Sequence, residues 1–335
     1  MDVDQRRARR EAHRRERARR RARGLAAVAA LAVAALLVVV LLSAGGSSKS
    51  SSARRPVSST GGASAGSSST HAPGTGPGAG AAVGSGAGAV GSSGTSAGEP
   101  VPILMYHVIN PPPPGAKFPG LYVPPEEFAA QMHALAQAGF HAVTMDQMLA
   151  NWTRRAPLPK GKPIVLSFDN GYQSQLTHAL PVLRGLGWVG VENIQLTGLP
   201  PAQGGLSEAQ VSALVAAGWE LDTQGISHAD LITLGPAALR EEVAVARTEV
   251  QRRYRVPANW FCYPSGHYSA TVIAEVKAAG YVGSTTVVPG WATRSEDPYR
   301  LPRLRVLGGT SPQALLNQIA AVHSNPPPPA SYTGG

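Results

Sequence analysis

An apolar run from Ile164 to Phe168 breaks into Asp169-Asn170-Gly171-Tyr172, which sets a carboxylate and an amide where a buried strand would end. In an α/β fold that is where reactive side chains gather, because the loops leaving the C-terminal ends of parallel strands converge. Two later segments end the same way. Trp219 to Asp222 runs into Thr223-Gln224-Gly225-Ile226-Ser227-His228, and Trp260 to Tyr263 into Pro264-Ser265-Gly266. Upstream, Pro102 to Tyr106 ends at His107. Together these ends offer a carboxylate that can take a proton, an amide and an imidazole at i and i+4, and a turn from Tyr263 to Gly266. Asp-Asn-Gly alone is a common turn and a single His228 a common loop residue; their recurrence in order is what argues for a site.

The elements that must position these groups alternate. Strands are expected at Ile103 to Val108, His141 to Thr144, Ile164 to Phe168, Val189 to Leu196, Trp219 to Asp222, Trp260 to Tyr263, Tyr281 to Thr285 and Arg303 to Val306. Helices are expected at Pro125 to Ala138, Gln173 to Leu186, Ser207 to Ala217, Pro236 to Tyr254, Ala270 to Ala279 and Pro312 to Ala321. Pro125, Pro236 and Pro312 stand in first turns, where a missing N–H costs nothing, and Gly139, Gly187, Gly218 and Gly280 follow the ends. Such alternation predicts an α/β fold with a mostly parallel sheet, a closed or distorted (β/α) barrel rather than an open sheet.

These segments resemble, in consistent order from Val101 to Val306, the polysaccharide deacetylases, the NodB-homology domain of carbohydrate esterase family four. The resemblance implies a distorted (β/α) barrel and hydrolysis of an acetamide on a glycan. The family's first motif has two aspartates, a general base and a metal ligand; here the positions are Asp169 and Asn170. Its second has two metal-binding histidines; here they are Gln224 and His228. The resemblance therefore implies a divalent metal of zinc or cobalt type, while the substitutions leave a neutral donor set that this chain could use weakly or not at all. It also implies that Ser265 lends its N–H to an oxyanion and that Tyr263, Pro264 and His107 line a sugar groove. Trp291 and Tyr268 are candidate stacking platforms. Leu301-Pro302-Arg303-Leu304-Arg305-Val306 matches the closing strand, which carries no histidine, so the general acid is unassigned.

Charge is concentrated outside this region. The first 23 residues carry 11 arginines against four acids, 11 − 4 = +7 of the chain's +10, so the folded part is not strongly basic and nucleic-acid binding is not expected. Residues 25–42 are 18 consecutive Ala, Val and Leu, near the lower limit for spanning a bilayer. With the arginines held inside, they predict a basic cytoplasmic tail (1–24) and a single-pass anchor (25–43); a cleaved signal peptide is the alternative. A Ser/Gly-rich linker (44–98) follows, then the deacetylase-like domain (99–321) and a Pro-rich disordered tail (322–335). The domain is thus expected outside the plasma membrane. The lone Cys262, read as a small core residue, excludes an internal disulfide. Two functions follow: an N-deacetylase acting on peptidoglycan or a chitin-like glycan, or a glycan-binding relative that no longer hydrolyses.

Overall fold

The structure, a computed structural model, describes residues 98–199 and 204–334. The chain divides into units Met1–Ser85 and Gly86–Gly335, and all described residues belong to the second. The expected basic tail, anchor and most of the linker lie outside the described residues. Among the described residues no helix is long and apolar enough to cross a membrane.

A curled, largely parallel sheet carries the domain. Its strands are β1 (Val101–Tyr106), β2 (Phe140–Ala142), β3 (Lys162–Asp169), β4 (Val191–Ile194), β5 (Glu220–Thr223), β6 (Trp260–Cys262), β7 (Gly283–Thr285), β8 (Trp291–Ala292) and β9 (Leu304–Arg305). The order is β7-β6-β5-β4-β3-β1, with β9 parallel to β1 on its other side, β2 on the start of β3, and the short β8 antiparallel to the start of β1. The two ends meet through one bridge, Thr285 with Leu301, instead of a full ladder, so the barrel is distorted. All eight expected strands form.

Alternation along β3 sets the layers. Ile164, Leu166 and Phe168 pack outward in the helix-side core, while Val165 belongs to the inner core and Ser167 and Asp169 follow it on the same face. Burying Phe168 alone contributes roughly 1.5 to 3 kcal/mol. The helices are α1 (Pro125–Gln137), α2 (Met145–Arg154), α3 (Leu180–Gly185), α4 (Glu208–Ala216), α5 (Pro236–Arg240), α6 (Ala246–Tyr254), α7 (Ala270–Ala278) and α8 (Pro312–Ala321). Helix α2 is not anticipated by the sequence reading. A capping box between Thr144 and Gln147 starts it, and Met145, Met148 and Trp152 bury one face. The expected helix from Gln173 opens instead as a π-turn, Gln175–Ala179, just before Pro181 withdraws a donor. A second π-turn, Glu241–Val245, joins α5 to α6.

The C-terminal segment corrects the expectation of disorder. Asn325 Nδ2 donates to Pro289 O at 2.9 Å and Arg300 Nη1 to Pro328 O at 3.0 Å. The Tyr268 hydroxyl donates to Pro329 O at 2.8 Å, and Tyr268 and Tyr332 exchange backbone hydrogen bonds. Four prolines limit the entropy this strap has to lose on docking, and each bond satisfies a group of the domain.

Candidate functional site

A cleft of about 430 Å³ opens at the C-terminal ends of β1, β3, β5 and β6. Its floor is Asp169, only 2% exposed. Oδ1 accepts from Arg303 Nη1 and from Asn193 Nδ2, both at 2.8 Å, and Oδ2 accepts from Arg303 Nη2 at 2.9 Å, with the Cys262 thiol at 3.6 Å. The guanidinium spends its other N–H groups on Thr286 O, Ser167 Oγ and Cys262 Sγ, so all five are satisfied. Burial pushes the Asp169 carboxyl up, but Arg303, with help from Asn193, outweighs it and holds the group at about 2. Asp169 is therefore ionised at neutral pH.

The sequence names Asp169 but not its clamp. Arg303 precedes β9, and its role is decided by a partner 134 residues away. Asn193 carried a visible signal, an amide beside Glu192 in the strand Val191–Ile194, and it went unread. Gln175 was also missed: buried, its Nε2 donates to the carbonyls of His107 and Asp169 and its Oε1 accepts the Tyr172 N–H. It ties the ends of β1 and β3 to the turn between them. Cys262 is buried as expected, yet among polar groups, and burial pushes its thiol up to about 12.

Asn170, Gln224 and His228 all line the cleft. Asn170 and His228 take left-handed backbone, φ 77° and 58°, which presents their side chains from tight turns. Gln224 is turned inward: its Oε1 accepts the Asn170 N–H at 3.0 Å and its Nε2 donates to Cys262 Sγ at 3.1 Å. Burial lowers the His228 imidazole and also the His107 imidazole, the latter to about 4, despite the attraction of Asp169. Both are neutral at pH 7, and His107 Nδ1 is buried without a partner.

Ser265 also lines the cleft, at φ 55° on the turn after Tyr263. The following Gly266 is obligatory there: φ is 77° and a Cβ would strike Val287. Tyr263 faces the cleft and anchors its hydroxyl on Tyr299 O at 2.9 Å. Two expected groove residues are placed elsewhere. Pro264 is buried and does not line the cleft. Trp291 pairs with Pro102 at the N-terminal end of β1, away from the cleft, with Nε1 on Ile319 O at 2.8 Å. It sits there because β8 runs antiparallel against the first residues of β1.

These residues do not fit a zinc- or cobalt-type ion. The Gln224 oxygen is committed to a backbone N–H, both Asp169 oxygens are held by Arg303, and Cys262 is a thiol at neutral pH, which leaves the His107 and His228 imidazoles and the Asn170 amide, with no anionic donor free. Among the described residues no three His, Cys, Asp or Glu side chains are grouped to hold a metal.

Residues 157–284, from just before β3 to β7, match the polysaccharide deacetylase family. This is a polysaccharide deacetylase domain. The deacetylase domain is 28% identical over 216 residues to YxkH of Bacillus subtilis (strain 168), which bears the polysaccharide deacetylase designation; the match covers 64% of this chain and 74% of YxkH. It superposes on the Streptococcus pyogenes deacetylase PplD, solved in complex with acetate, with a TM-score of 0.61 at 24% identity, covering 66% of this chain and 99% of that one. BA0330 of Bacillus anthracis gives a TM-score of 0.59 at 26% identity over 66% of this chain and 69% of its own. The superpositions carry the fold.

Proposed function

We propose that this polysaccharide deacetylase domain binds N-acetylated glycan, peptidoglycan or chitin-like, outside the plasma membrane, and that metal-assisted hydrolysis is not its main activity. The observation that carries the reading is Gln224: its only ligand-type atom accepts the Asn170 N–H at 3.0 Å. Asn170 brings no charge to replace it. The cleft that remains is well suited to an acetamido sugar. Two neutral imidazoles, the Asn170 amide and the Ser265 turn line it, while the exposed Phe118 offers ring surface. Membrane tethering is proposed from the basic flank and the apolar run at 25–42.

Slow deacetylation is the second reading, favoured by Asp169, which lines the cleft and stays ionised to about pH 2. As a base it would take a proton from water only by sharing oxygens already held by Arg303. That arrangement makes it a weak base.

The test uses the full-length chain in detergent, with glycan binding measured by calorimetry and acetate release from chitin oligomers measured with and without added zinc. Binding that is indifferent to chelator, with acetate release at background, is the expected result. One tightly held zinc per chain with zinc-dependent acetate release would establish the hydrolase instead.

A further inference from the structure

The C-terminal strap, Asn325 to Gly334, meets the loops that follow β6, β7 and β8, although no residue of the strap lines the cleft. We propose that the strap is a positioning element for ligand binding: docked, it holds in place the Tyr263–Gly266 turn and Val287, which form one wall of the cleft. The proposal rests on the glycan-binding reading of the cleft and adds that affinity there depends on a segment outside it.

Each contact of the strap falls beside that wall. Asn325 Nδ2 donates to Pro289 O at 2.9 Å, just beyond Val287 on the loop after β7. Arg300 Nη1 donates to Pro328 O at 3.0 Å, and the adjoining Tyr299 carbonyl accepts the Tyr263 hydroxyl at 2.9 Å. Tyr268 donates its hydroxyl to Pro329 O at 2.8 Å and exchanges backbone hydrogen bonds of 2.8 and 2.9 Å with Tyr332. Its ring, a stacking platform for sugar by the sequence reading, is instead fully buried and stacks on Tyr263, with centroids 5.0 Å apart and planes 30° from parallel. A second route runs through His267. An added Cβ at Gly334 would lie 2.9 Å from His267 Nε2, and His267 Nδ1 pairs with Asp230 Oδ1 at 3.1 Å, close after His228, which also lines the cleft.

The turn needs such support. Ser265 and Gly266 both take left-handed backbone, φ 55° and 77°, and the turn's own bonds are Gly266 N–H to Tyr263 O at 2.8 Å and His267 N–H to Pro264 O at 3.1 Å. Backbone of this kind persists where its surroundings over-determine it. Tyr263 links the turn to those surroundings, by its hydroxyl on Tyr299 O and its ring on Tyr268, and the strap engages Tyr268 directly and Tyr299 through Arg300. Because Pro326 to Pro329 have little conformational freedom to lose, a few hydrogen bonds suffice to dock them. A segment that only added stability could dock anywhere on the barrel; these polar anchors fall on loops that carry or touch the cleft wall.

The experiment compares the full-length chain in detergent with a chain ending at Ser324, at a temperature where both are folded. Binding of the linear β-1,4 tetramer of N-acetylglucosamine is measured by calorimetry, and amide hydrogen exchange at residues 263–268 is measured without ligand. Truncation should weaken binding about tenfold and speed that exchange, and a synthetic peptide of residues 325–335 should restore both. Tyr268→Phe, which keeps the ring stack but loses the bond to Pro329, and Asn325→Ala should each weaken binding about threefold; they carry the test if the truncated chain does not fold. Thr144→Ala removes the cap of α2 at the other end of the barrel and lowers Tm without touching the strap, so it should leave affinity unchanged. Wild-type affinity in the folded truncated chain, or in both single variants, or an equal loss in Thr144→Ala, would overturn the proposal. If wild type does not bind the tetramer, the glycan reading fails; faster exchange at 263–268 on truncation would still uphold the strap as the brace of the turn, and unchanged exchange would overturn both.

Discussion

Asp169 and the Glu220–Asp222 pair, buried toward opposite ends of the barrel, are treated in opposite ways. At the C-terminal end, Asp169 is enclosed by Arg303, Asn193 and Cys262, and its charge is matched within 3 Å. At the N-terminal end, Asp146, Glu220 and Asp222 border a cavity of about 240 Å³ without a cation among them. Asp146 is served by Asn259 and the Trp260 indole, but Glu220 Oε1 and Asp222 Oδ2 are buried without partners. Burial and mutual repulsion raise both acids, Glu220 to about 7. The same sheet thus holds one acid charged on β3 and raises a pair on β5, and of these three only Asp169 has a guanidinium against it. A fixed charge at the cleft can orient a polar ligand; the proton-sharing pair at the far end can only make stability depend on pH.

The largest expected effect comes from breaking the compensated end. Arg303→Met should cost about 3 to 5 kcal/mol in denaturant unfolding, because it strands a buried carboxylate. Asp169→Asn in that background should recover part of the loss; no recovery would mean that Arg303 acts through packing alone. In wild type the depressed Asp169 group stabilises the fold fully above its ordinary value near 3.8, and that contribution of roughly 2 to 3 kcal/mol disappears as pH falls from about 4 through about 2. Asp169→Asn should remove this acid limb from a stability-versus-pH curve.

Next in size is the donor set. Asn170→Asp with Gln224→His restores a carboxylate and an i, i+4 imidazole pair with His228, and zinc affinity measured by calorimetry should rise roughly 100-fold or more. If the double variant binds zinc no better than the parent, the neutral residues are not what limits the site. Deleting residues 326–335 should destabilise the domain by about 1 to 3 kcal/mol, since it removes the partners of Arg300 and of Tyr268. His267, whose ring lies 6.3 Å from that of Tyr332, should then show changed NMR chemical shifts.

The smallest effect belongs to the uncompensated end. A raised carboxyl binds its proton more tightly folded than unfolded, so stability should fall as pH rises from about 4.5 to about 7 and then level off. Glu220→Gln should flatten that slope and stabilise the protein by about 1 kcal/mol at neutral pH. An unchanged slope would place the titration on Asp222 instead.

The sequence by itself determined whatever depends on neighbours along the chain. The eight strands, the starts and stops of most helices and the location of the cleft at the ends of β1, β3, β5 and β6 follow from apolar periodicity, prolines, glycines and polar residues at strand ends. The chemical state of the site was not legible in that way. Arg303, Asn193 and Cys262 converge on Asp169 across separations of 24 to 134 residues, and whether a carboxylate is a free base or half of an ion pair depends on which strands the barrel brings together. Gln224 could be recognised as a changed ligand, but only the turn at Asn170 shows that its oxygen is already bonded. Trp291 and the Pro-rich tail were misplaced for the same reason: an aromatic ring or a proline strap has no local signal for the surface it will meet. Local pattern sets where elements begin and end, whereas partners for buried charge and for docked segments exist only once the distant strands are side by side.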